Sequence, residues 1–283
     1  MNFLIGCAVW AYKGWVGEFY PPKTRPADFL NLYSRRFTAV EGNTTFYAVP
    51  NAETVTRWAM ETPPGFEFCL KLPRDLTHNG LLQPAISDAL KFLEQMQPLG
   101  KRLGPIFAQL PPSYEPELLD DLVAFLEAWP RTEVPLALEV RHRNWFKEPH
   151  ASNLTTILEQ LGVGRVLLDS RPVYIAGKSQ SLQAEKKPNL PVVFSVTAPF
   201  SLIRFVSNPE LSVNQPFMEE WAIQIKHWLA EGKRVYLFVH CPVEERSPHN
   251  ARCFQQVLEQ FEAGVLPLPW NQLDLSPNQL SLW

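Results

Sequence analysis

The stretch that best predicts the fold reads Val40-Glu41-Gly42-Asn43-Thr44-Thr45-Phe46-Tyr47. A short apolar strand, which begins at Phe37, runs here directly into a cluster of polar side chains. Residues two apart on a strand share a face, so Glu41 and Asn43 are expected to point the same way. A helix that buries Trp58 follows, and Asn51 is its predicted N-cap. The stretch is therefore one unit of strand, polar loop and helix.

The same unit recurs along the chain at a spacing of roughly thirty residues. Eight apolar runs are predicted as strands, namely Phe3–Ala8, Phe37–Val40, Phe66–Lys71, Ile106–Leu110, Leu136–Val140, Arg165–Asp169, Ser201–Val206 and Arg234–Val239. Right-handed crossovers make such strands parallel, and eight of them close as a (β/α)8 barrel, the TIM barrel. An open doubly wound sheet is the structural rival, but Gly6-Cys7-Ala8 lacks the glycine-rich first turn that is typical of it.

Two segments depart from this repeat. Ser170 to Pro199 contains four prolines and no sustained helical stripe, which predicts an irregular insertion after the sixth strand. We expect this insertion to lie over the barrel mouth as a partly mobile cover, with an ordinary insertion on the outside as the alternative. The tail from Val265 to Trp283 is expected to pack back on the surface through Trp270 and Trp283.

Length and composition bound the class of protein. The chain has 283 residues, of which 46% are hydrophobic and 19% charged, so it can bury one large core and is predicted to be a single domain over residues 1–283. Its formal charge of −3 provides no overall basic field for nucleic acid or an anionic membrane. Without a targeting signal or a membrane-spanning run, we expect a soluble, cytoplasmic protein, with a monomer as the default. The four cysteines lack CxxC spacing and predict buried free thiols.

Several motifs along the chain together resemble one family. They are Trp10-Ala11-Tyr12-Lys13-Gly14-Trp15, the stretch Val40 to Tyr47, Lys71-Leu72-Pro73, Thr77-His78, Phe107-Ala108-Gln109-Leu110-Pro111-Pro112-Ser113, Glu139-Val140-Arg141-His142, Trp145-Phe146 and Asp169-Ser170. The motifs resemble the domain of unknown function 72 family, also called YecE-like proteins, over nearly the whole chain. The resemblance implies a TIM barrel and the positions of a site, but no reaction.

Two positions depart from the pattern of this family. Its members commonly read Arg-x-His-Gly after the seventh strand, whereas Arg204 is followed here by Phe205-Val206-Ser207. Many members carry an Asn-rich turn after the eighth strand, where this chain has His240-Cys241-Pro242. Both departures fall at the predicted mouth, so an activity of one branch would not automatically extend to this chain.

The predicted strands deliver polar side chains to the end of the barrel where TIM-barrel active sites lie. The predicted catalytic residues are Glu41, Lys71, Glu139, Asp169 and His240. The predicted substrate-binding residues are Asn43, Tyr47, His78, Gln109, Arg141, His142, Trp145 and Arg204. A lattice of ion pairs that serves stability alone is the structural alternative, because buried charges must be paired.

These residue types favour an enzyme that uses acid/base chemistry on a small polar substrate, such as a sugar or a carboxylate. One of the two rim glutamates would act as the base, with Lys71 or His240 as the acid. Arg141 and Arg204 would hold a carboxylate or phosphate through paired N–H donors. The expected partner is therefore a small-molecule or anionic ligand.

Two other functions remain open at this stage. A divalent metal could be held by the three acids Glu41, Glu139 and Asp169 together with His142 and His240. The chain would then be a metal-assisted phosphodiesterase that acts on nucleic acid. The interspersed bases Lys71, Arg141 and Arg204 repel a divalent ion, and no HExxH spacing is present. We therefore assign no residue as a metal ligand, and no cofactor is evident from the sequence. The third possibility is a ligand-binding module without catalysis.

Overall fold

The computed structural model describes residues 2–175 and 188–270. The strands are β1 Phe3–Cys7, β2 Ala39–Gly42, β3 Glu67–Leu70, β4 Ile106–Gln109, β5 Leu136–Glu139, β6 Gly164–Asp169, β7 Phe200–Val206 and β8 Arg234–His240. The α-helices described are α1 Phe29–Tyr33, α2 Thr44–Tyr47, α3 Ala52–Glu61, α4 Arg74–Thr77, α5 Ile86–Met96, α6 Leu119–Ala128, α7 His150–Leu161, α8 Arg171–Ile175, α9 Leu211–Ala230 and α10 Ser247–Gln260. Within these ranges, none of the helices has the length and apolar character needed to cross a bilayer.

The strands form two parallel sheets. Six of them pair in the order β1-β8-β7-β6-β5-β4, and β2 pairs with β3. Backbone hydrogen bonds join the two sheets on both sides: Thr38 N donates to Ile5 O at 3.1 Å, and Leu72 N donates to Phe107 O at 3.0 Å. The architecture is therefore mixed α/β, with a mostly parallel arrangement of strands and crossover helices.

Helix ends follow the sequence signals. The side chain of Asn51 accepts a hydrogen bond from Thr54 N at 2.9 Å and caps α3, as predicted. Gly162 follows the last residue of α7 with φ 63°, a left-handed conformation that glycine adopts without strain. The ends of α3 and α7 are thus determined by residues next to them in the sequence.

The second strand begins two residues later than predicted. Phe37 N donates to Tyr33 O at 3.0 Å, so this residue completes the turn after α1 and does not enter the sheet. The ladder runs instead from Ala39 to Gly42, and Glu41 pairs with Cys69. Glu41 therefore lies inside a buried strand, where its charge must be compensated.

One face of both sheets carries a layer of apolar side chains. The layer consists of Leu4, Ala39, Cys69, Phe107, Ala137, Val166, Ala198, Phe200, Leu202, Tyr236 and Phe238. Six members of this layer are followed, two residues later along the chain, by a polar residue. These polar residues are Glu41, Lys71, Gln109, Glu139, Arg204 and His240. A two-residue step keeps a side chain on the same face. The polar side chains therefore form a second layer on top of the apolar one.

The insertion predicted over Ser170 to Pro199 is irregular only in part, because it begins with the short helix α8, Arg171–Ile175. Between α8 and β7, residues 188–199 form neither helix nor strand. Phe194 packs 4.8 Å from the ring of Trp221 on α9, so this part runs along the helix layer. The prediction of a cover over the mouth depends on residues 176–187, which lie outside the described residues.

The tail returns to the first part of the chain. The ring of Trp270 lies 5.5 Å from Phe19 and 5.3 Å from Phe37, as predicted for this tryptophan. Trp283, the second predicted anchor, lies outside the described residues.

Asp121 on α6 connects three loops that follow β3, β4 and β5. Its carboxylate accepts hydrogen bonds from Leu82 N at 2.7 Å, Gln83 N at 3.0 Å and the Tyr114 hydroxyl at 2.8 Å. The carbonyl of Tyr114 in turn accepts the indole N–H of Trp145 at 2.9 Å. One buried carboxylate thus fixes the loops on one side of the site.

Asp121→Ala should lower the free energy of unfolding by about 2 to 4 kcal/mol, because two backbone N–H groups and a hydroxyl lose their acceptor. Urea unfolding measures this loss. The neighbouring Asp120 is exposed, so Asp120→Ala is the matched control and should change stability by about 0.5 kcal/mol or less. Equal losses in both variants would contradict the role assigned to Asp121.

Candidate functional site

The polar layer centres on the guanidinium of Arg204, which is buried. Its Nε and Nη2 donate to the two carboxylate oxygens of Glu41 at 2.9 and 2.8 Å. Its Nη1 donates to Glu139 Oε2 at 2.5 Å. Residues from β7, β2 and β5 are therefore joined by charge-assisted hydrogen bonds, one of them a bidentate pair.

Besides Arg204, two other side chains contact the carboxylate of Glu41. Asn43 Nδ2 donates to Oε1 at 2.6 Å, and His240 Nε2 lies 2.9 Å from Oε2. With these contacts, each oxygen has two partners, which fills its lone-pair directions. Burial by itself would raise the pKa of Glu41, but Arg204 and His240 lower it well below its usual range. Glu41 is therefore a fixed anion and poorly suited to be the predicted base.

Glu139 is held in a similar way. Its Oε1 accepts from Arg141 Nε at 2.6 Å, on the side opposite the contact with Arg204. Burial opposes ionisation, but Arg204 and then Arg141 lower the pKa of Glu139 to about 2. A carboxylate with such a pKa remains ionised near neutral pH and accepts a proton weakly.

Lys71 differs from the other charged members of the layer, because its contacts are to uncharged groups. Its Nζ donates to Gln109 Oε1 at 2.9 Å and lies 3.6 Å from the centre of the Phe46 ring. Burial, and next the charge of Arg204, lower the pKa of Lys71 to about 7, against the opposing effect of Glu139 and Glu41. Near neutral pH this amine therefore exchanges a proton readily.

His78 lies beside the same aromatic ring. Its ring centre is 5.1 Å from that of Phe46, and Nδ1 is 2.8 Å from Thr77 Oγ1. Burial, and next the charge of Lys71, lower the pKa of His78 to about 4. The imidazole is therefore neutral near neutral pH and binds an extra proton only weakly, with one ring nitrogen as a donor and the other as an acceptor.

Most of the predicted site residues meet in this cluster. Its members are Glu41, Asn43, Lys71, His78, Gln109, Glu139, Arg141, Arg204 and His240. Arg141 joins it twice, because its Nη2 also donates to Gln109 Oε1 at 2.7 Å. Arg204 has most of its donors committed to the two glutamates, so Arg141 is the better of the two arginines for holding an anion.

Asp169 does not join the cluster and is a correction to the prediction. It pairs in register with Phe205, whereas the preceding residue, Leu168, pairs with Arg204. Alternation along β6 therefore turns Asp169 to the opposite face. There its carboxylate accepts from Arg171 Nη2 and from Trp221 Nε1, both at 2.8 Å, so it anchors α8 and α9.

Two predicted aromatic residues also have other roles. Trp145 is buried and donates its indole N–H to Tyr114 O, so it supports the loop and does not line a binding surface. Tyr47 is 82% exposed, because the chain turns helical at Thr44 and the alternation of the strand no longer applies. Phe46, which the prediction did not include among the binding residues, takes the inner position against Lys71.

His142 lies on the wall of an open groove beside the cluster. Its Nε2 is 3.7 Å from Glu115, and its Nδ1 accepts from Asn144 N at 3.3 Å. The groove has a volume of about 550 Å³, and its basic lining residues are Arg141, His142, Arg143 and Lys147. The described residues that line it include no acid. The groove is therefore suited to anions, and Arg141 belongs both to its lining and to the cluster.

The donor set does not fit a metal ion. In the described ranges, no group of three or more His, Cys, Asp or Glu side chains is arranged to hold one. Both oxygens of Glu41 and one oxygen of Glu139 already accept from Arg204. The guanidinium thus stands where a cation bound by these carboxylates would be.

Glu41→Gln should lower the free energy of unfolding by about 3 to 5 kcal/mol, because Arg204 would keep only one carboxylate in a buried setting. Chemical unfolding at neutral pH measures the loss. Glu127 on α6 is exposed, so Glu127→Gln should leave stability within about 0.5 kcal/mol of the unchanged protein. A loss below about 1 kcal/mol for Glu41→Gln would show that Arg204 does not depend on this carboxylate.

Lys71→Met should stabilise the fold, and more so at about pH 6 than at about pH 9. The pKa of Lys71 falls from 10.5 to about 7 on folding, so between these values the unfolded chain binds more protons. Stability of the unchanged protein therefore rises with pH across this window, whereas methionine does not titrate. We expect the stabilisation to shrink by on the order of 2 kcal/mol between the two pH values.

The exposed Lys91 provides the control for this measurement. Lys91→Met should show no comparable change between the two pH values. A stabilisation by Lys71→Met that is independent of pH, or that grows with pH, would contradict the environment described for Lys71.

Comparisons with known proteins agree with the fold and the motifs. The family model described as "Protein of unknown function DUF72" matches residues 4–273. The UPF0759 protein YecE of Escherichia coli (strain K12) is 34% identical over 269 residues, which cover 93% of this chain and 96% of that protein. The UPF0759 protein YunF of Bacillus subtilis (strain 168) is 29% identical over 284 residues, with coverage of 91% and 95%.

Solved structures of two proteins share the fold. The DUF72 family protein TM1631 of Thermotoga maritima gives a TM-score of 0.69 at 21% identity, covering 92% of this chain and 100% of that one. The DUF72 family protein EF0366 of Enterococcus faecalis gives a TM-score of 0.67 at 20% identity, covering 91% and 97%. The family match over nearly the whole chain and the 34% identity with YecE show that the protein belongs to the DUF72 family.

Proposed function

We propose that this protein is an enzyme that performs acid/base chemistry on a small anionic organic substrate, with Lys71 transferring the proton. The observation that carries the proposal is the setting of the Lys71 amine. It is buried, it contacts the Phe46 ring and Gln109, and it forms no ion pair with a carboxylate in the described residues. A cation without a partner destabilises a fold, so a position of this kind is typical of a group retained for its chemistry.

The charges of the cluster favour an anionic substrate. Arg204 and Arg141 are compensated by Glu41 and Glu139 through direct contacts. Protonated Lys71 is then in excess, and a carboxylate or phosphate on the substrate would compensate it. The basic groove that Arg141 helps to line would attract such a substrate. A substrate with a negative charge thus agrees better with the cluster than a neutral sugar does.

The proposal includes closure of the two sheets into one eight-stranded barrel. Hydrogen bonds at both seams support this, and Gly104 N adds one to Phe68 O at 3.0 Å. Contacts across the interior support it as well, because Arg204 of the larger sheet reaches Glu41 of the smaller one. A closed barrel would also be the single domain that the chain length predicts, with the cluster at its carboxyl-terminal mouth.

The two alternative functions have less support. A metal-assisted phosphodiesterase needs carboxylates that are available to a cation, whereas Glu41 and Glu139 already contact arginine. A binding module without catalysis agrees with the groove, but it gives no reason for an amine placed against an aromatic ring without an ion pair. The experiments below separate this module from an enzyme.

The titration of Lys71 can be tested without knowing the substrate. Competitive acetylation with acetic anhydride, followed by peptide mass spectrometry over a range of pH, reports when each lysine becomes a neutral, reactive amine. Lys71 should reach half of its maximal reactivity near pH 7, and the exposed Lys91 only at a much higher pH. A Lys71 that titrates together with Lys91 would overturn the proposal.

Turnover is then sought with a set of small carboxylates and phosphate esters, followed by NMR. A compound that the unchanged protein converts and that Lys71→Met leaves intact would support the proposal. Compounds that protect Lys71 from acetylation but are never converted would favour the binding module.

A further inference from the structure

Two hydrogen bonds fix the backbone of Lys71 and thereby limit the positions of its amine. Lys71 N donates to Gly42 O at 3.3 Å, and Lys71 O accepts from Thr45 Oγ1 at 2.6 Å. Phe46 follows Thr45 directly, so the same short helix, α2, fixes both the lysine backbone and the ring under its amine. Such a preorganised, buried primary amine close to other cationic groups is suited to nucleophilic attack as well as to proton transfer.

Arg141 lies next to this amine. Arg141 Nη2 and Lys71 Nζ both donate to Gln109 Oε1, at 2.7 and 2.9 Å, so the two nitrogens are within two hydrogen-bond lengths of each other. The Nη1 of Arg141 has no acceptor among the described residues, and this side chain is 20% exposed on the groove. The spacing of these two nitrogens therefore matches a small molecule that carries an anionic group next to an electrophilic carbon.

We propose that Lys71 forms an imine with the carbonyl carbon of a 2-oxo carboxylate whose carboxylate group is bound by Arg141. This inference rests on the function proposed above and names the substrate class. A 2-oxo carboxylate has the required geometry, because its anionic group is bonded directly to the electrophilic carbon. Gln109, which contacts both Lys71 and Arg141, positions the amine relative to the guanidinium.

The reaction needs only groups that the site and the substrate supply. The Nζ lone pair forms the C–N bond while the carbonyl π pair moves to oxygen, and one N–H proton passes to that oxygen to give a carbinolamine. The second N–H proton passes to the hydroxyl, which leaves as water as nitrogen forms the C=N bond. Amine and ketone thus give imine and water. We assign His78, beside the same Phe46 ring, to relay each proton, because a neutral imidazole has one nitrogen that donates and one that accepts.

The products also balance the charges of the cluster. When the imine takes up a proton, its positive charge replaces that of the lysine ammonium, and the substrate carboxylate compensates it. Arg204, Arg141, Glu41 and Glu139 remain paired with each other. The protonated imine then withdraws electrons from the adjacent carbon of the substrate, which is the chemical advantage of the adduct.

Reductive trapping tests this inference. Pyruvate, 2-oxobutyrate and 2-oxoglutarate serve as probes, each incubated with the full-length protein and sodium borohydride, followed by peptide mass spectrometry. We expect a reduced adduct on Lys71 that exceeds the adduct on the exposed Lys91 by at least about 10-fold, since a neutral amine is the reactive form. Lys71→Met should remove the adduct at this position and leave the labelling of Lys91 unchanged.

The role of Arg141 has its own comparison. Arg141→Gln should reduce trapping of pyruvate by about 10-fold, which corresponds to about 1.4 kcal/mol, but should not reduce trapping of acetone, a neutral ketone of similar size. A general loss of folding would reduce both. Arg57, an exposed arginine on α3, is the control, and Arg57→Gln should leave both reactions unchanged.

Failure of this inference is distinct from failure of the proposed function. Absence of an adduct with all three probes, or equal labelling of Lys71 and Lys91, would overturn imine formation. The enzyme proposal would still stand if Lys71 titrates near pH 7 and another anion is turned over. If Lys71 instead acetylates in parallel with Lys91, both proposals fail.

Discussion

The buried guanidinium of Arg204 is the constraint on which the arrangement of the site depends. An ion of this size loses several kcal/mol of hydration on burial, and only well-placed counter-charges restore it. Glu41 and Glu139 supply these charges from two other strands, and both contact the guanidinium directly. The phenyl ring of Phe107 lies below, 5.6 Å from the guanidinium carbon. The polar layer is thus a single hydrogen-bonded unit that rests on an apolar one.

This unit explains why the pKa of Lys71 is lowered. The two glutamates are both occupied by arginines, so neither forms an ion pair with Lys71, although it lies in the same layer. The loss of water on burial, and next the repulsion of Arg204, therefore outweigh the attraction of the carboxylates and lower the pKa of the Lys71 amine. The carboxylates, which chemical intuition would first select as acid or base, act as the counter-ions of the arginines. Lys71, the residue to which we assign proton transfer, is the charged group that these ion pairs leave without a counter-ion among the described residues.

Much of this arrangement could be predicted from sequence, because strand alternation has a fixed period of two. Glu41, Lys71, Gln109, Glu139, Arg204 and His240 all fall on the face that carries the apolar layer. The same rule, applied from Leu168, would have excluded Asp169. Tyr47 could not be placed in this way, because the change from strand to helix at Thr44 depends on contacts with Lys71 O and Gly42 O that are made only in the folded chain. The sequence could not predict that both oxygens of Glu41 are occupied, since Arg204 and His240 reach them from strands far along the chain.

The distances along the chain between the paired charges affect how the protein folds. Arg204 and Glu41 are separated by 163 residues, and Glu41 and His240 by 199. A chain that has acquired only its first half would therefore contain Glu41 without its cationic partner, and burying that anion would be strongly unfavourable. Intermediates that form the early strands alone should keep this end of the sheet hydrated. The polar layer thus ties completion of the core to the arrival of the last two strands, which makes folding more cooperative and raises its contact order.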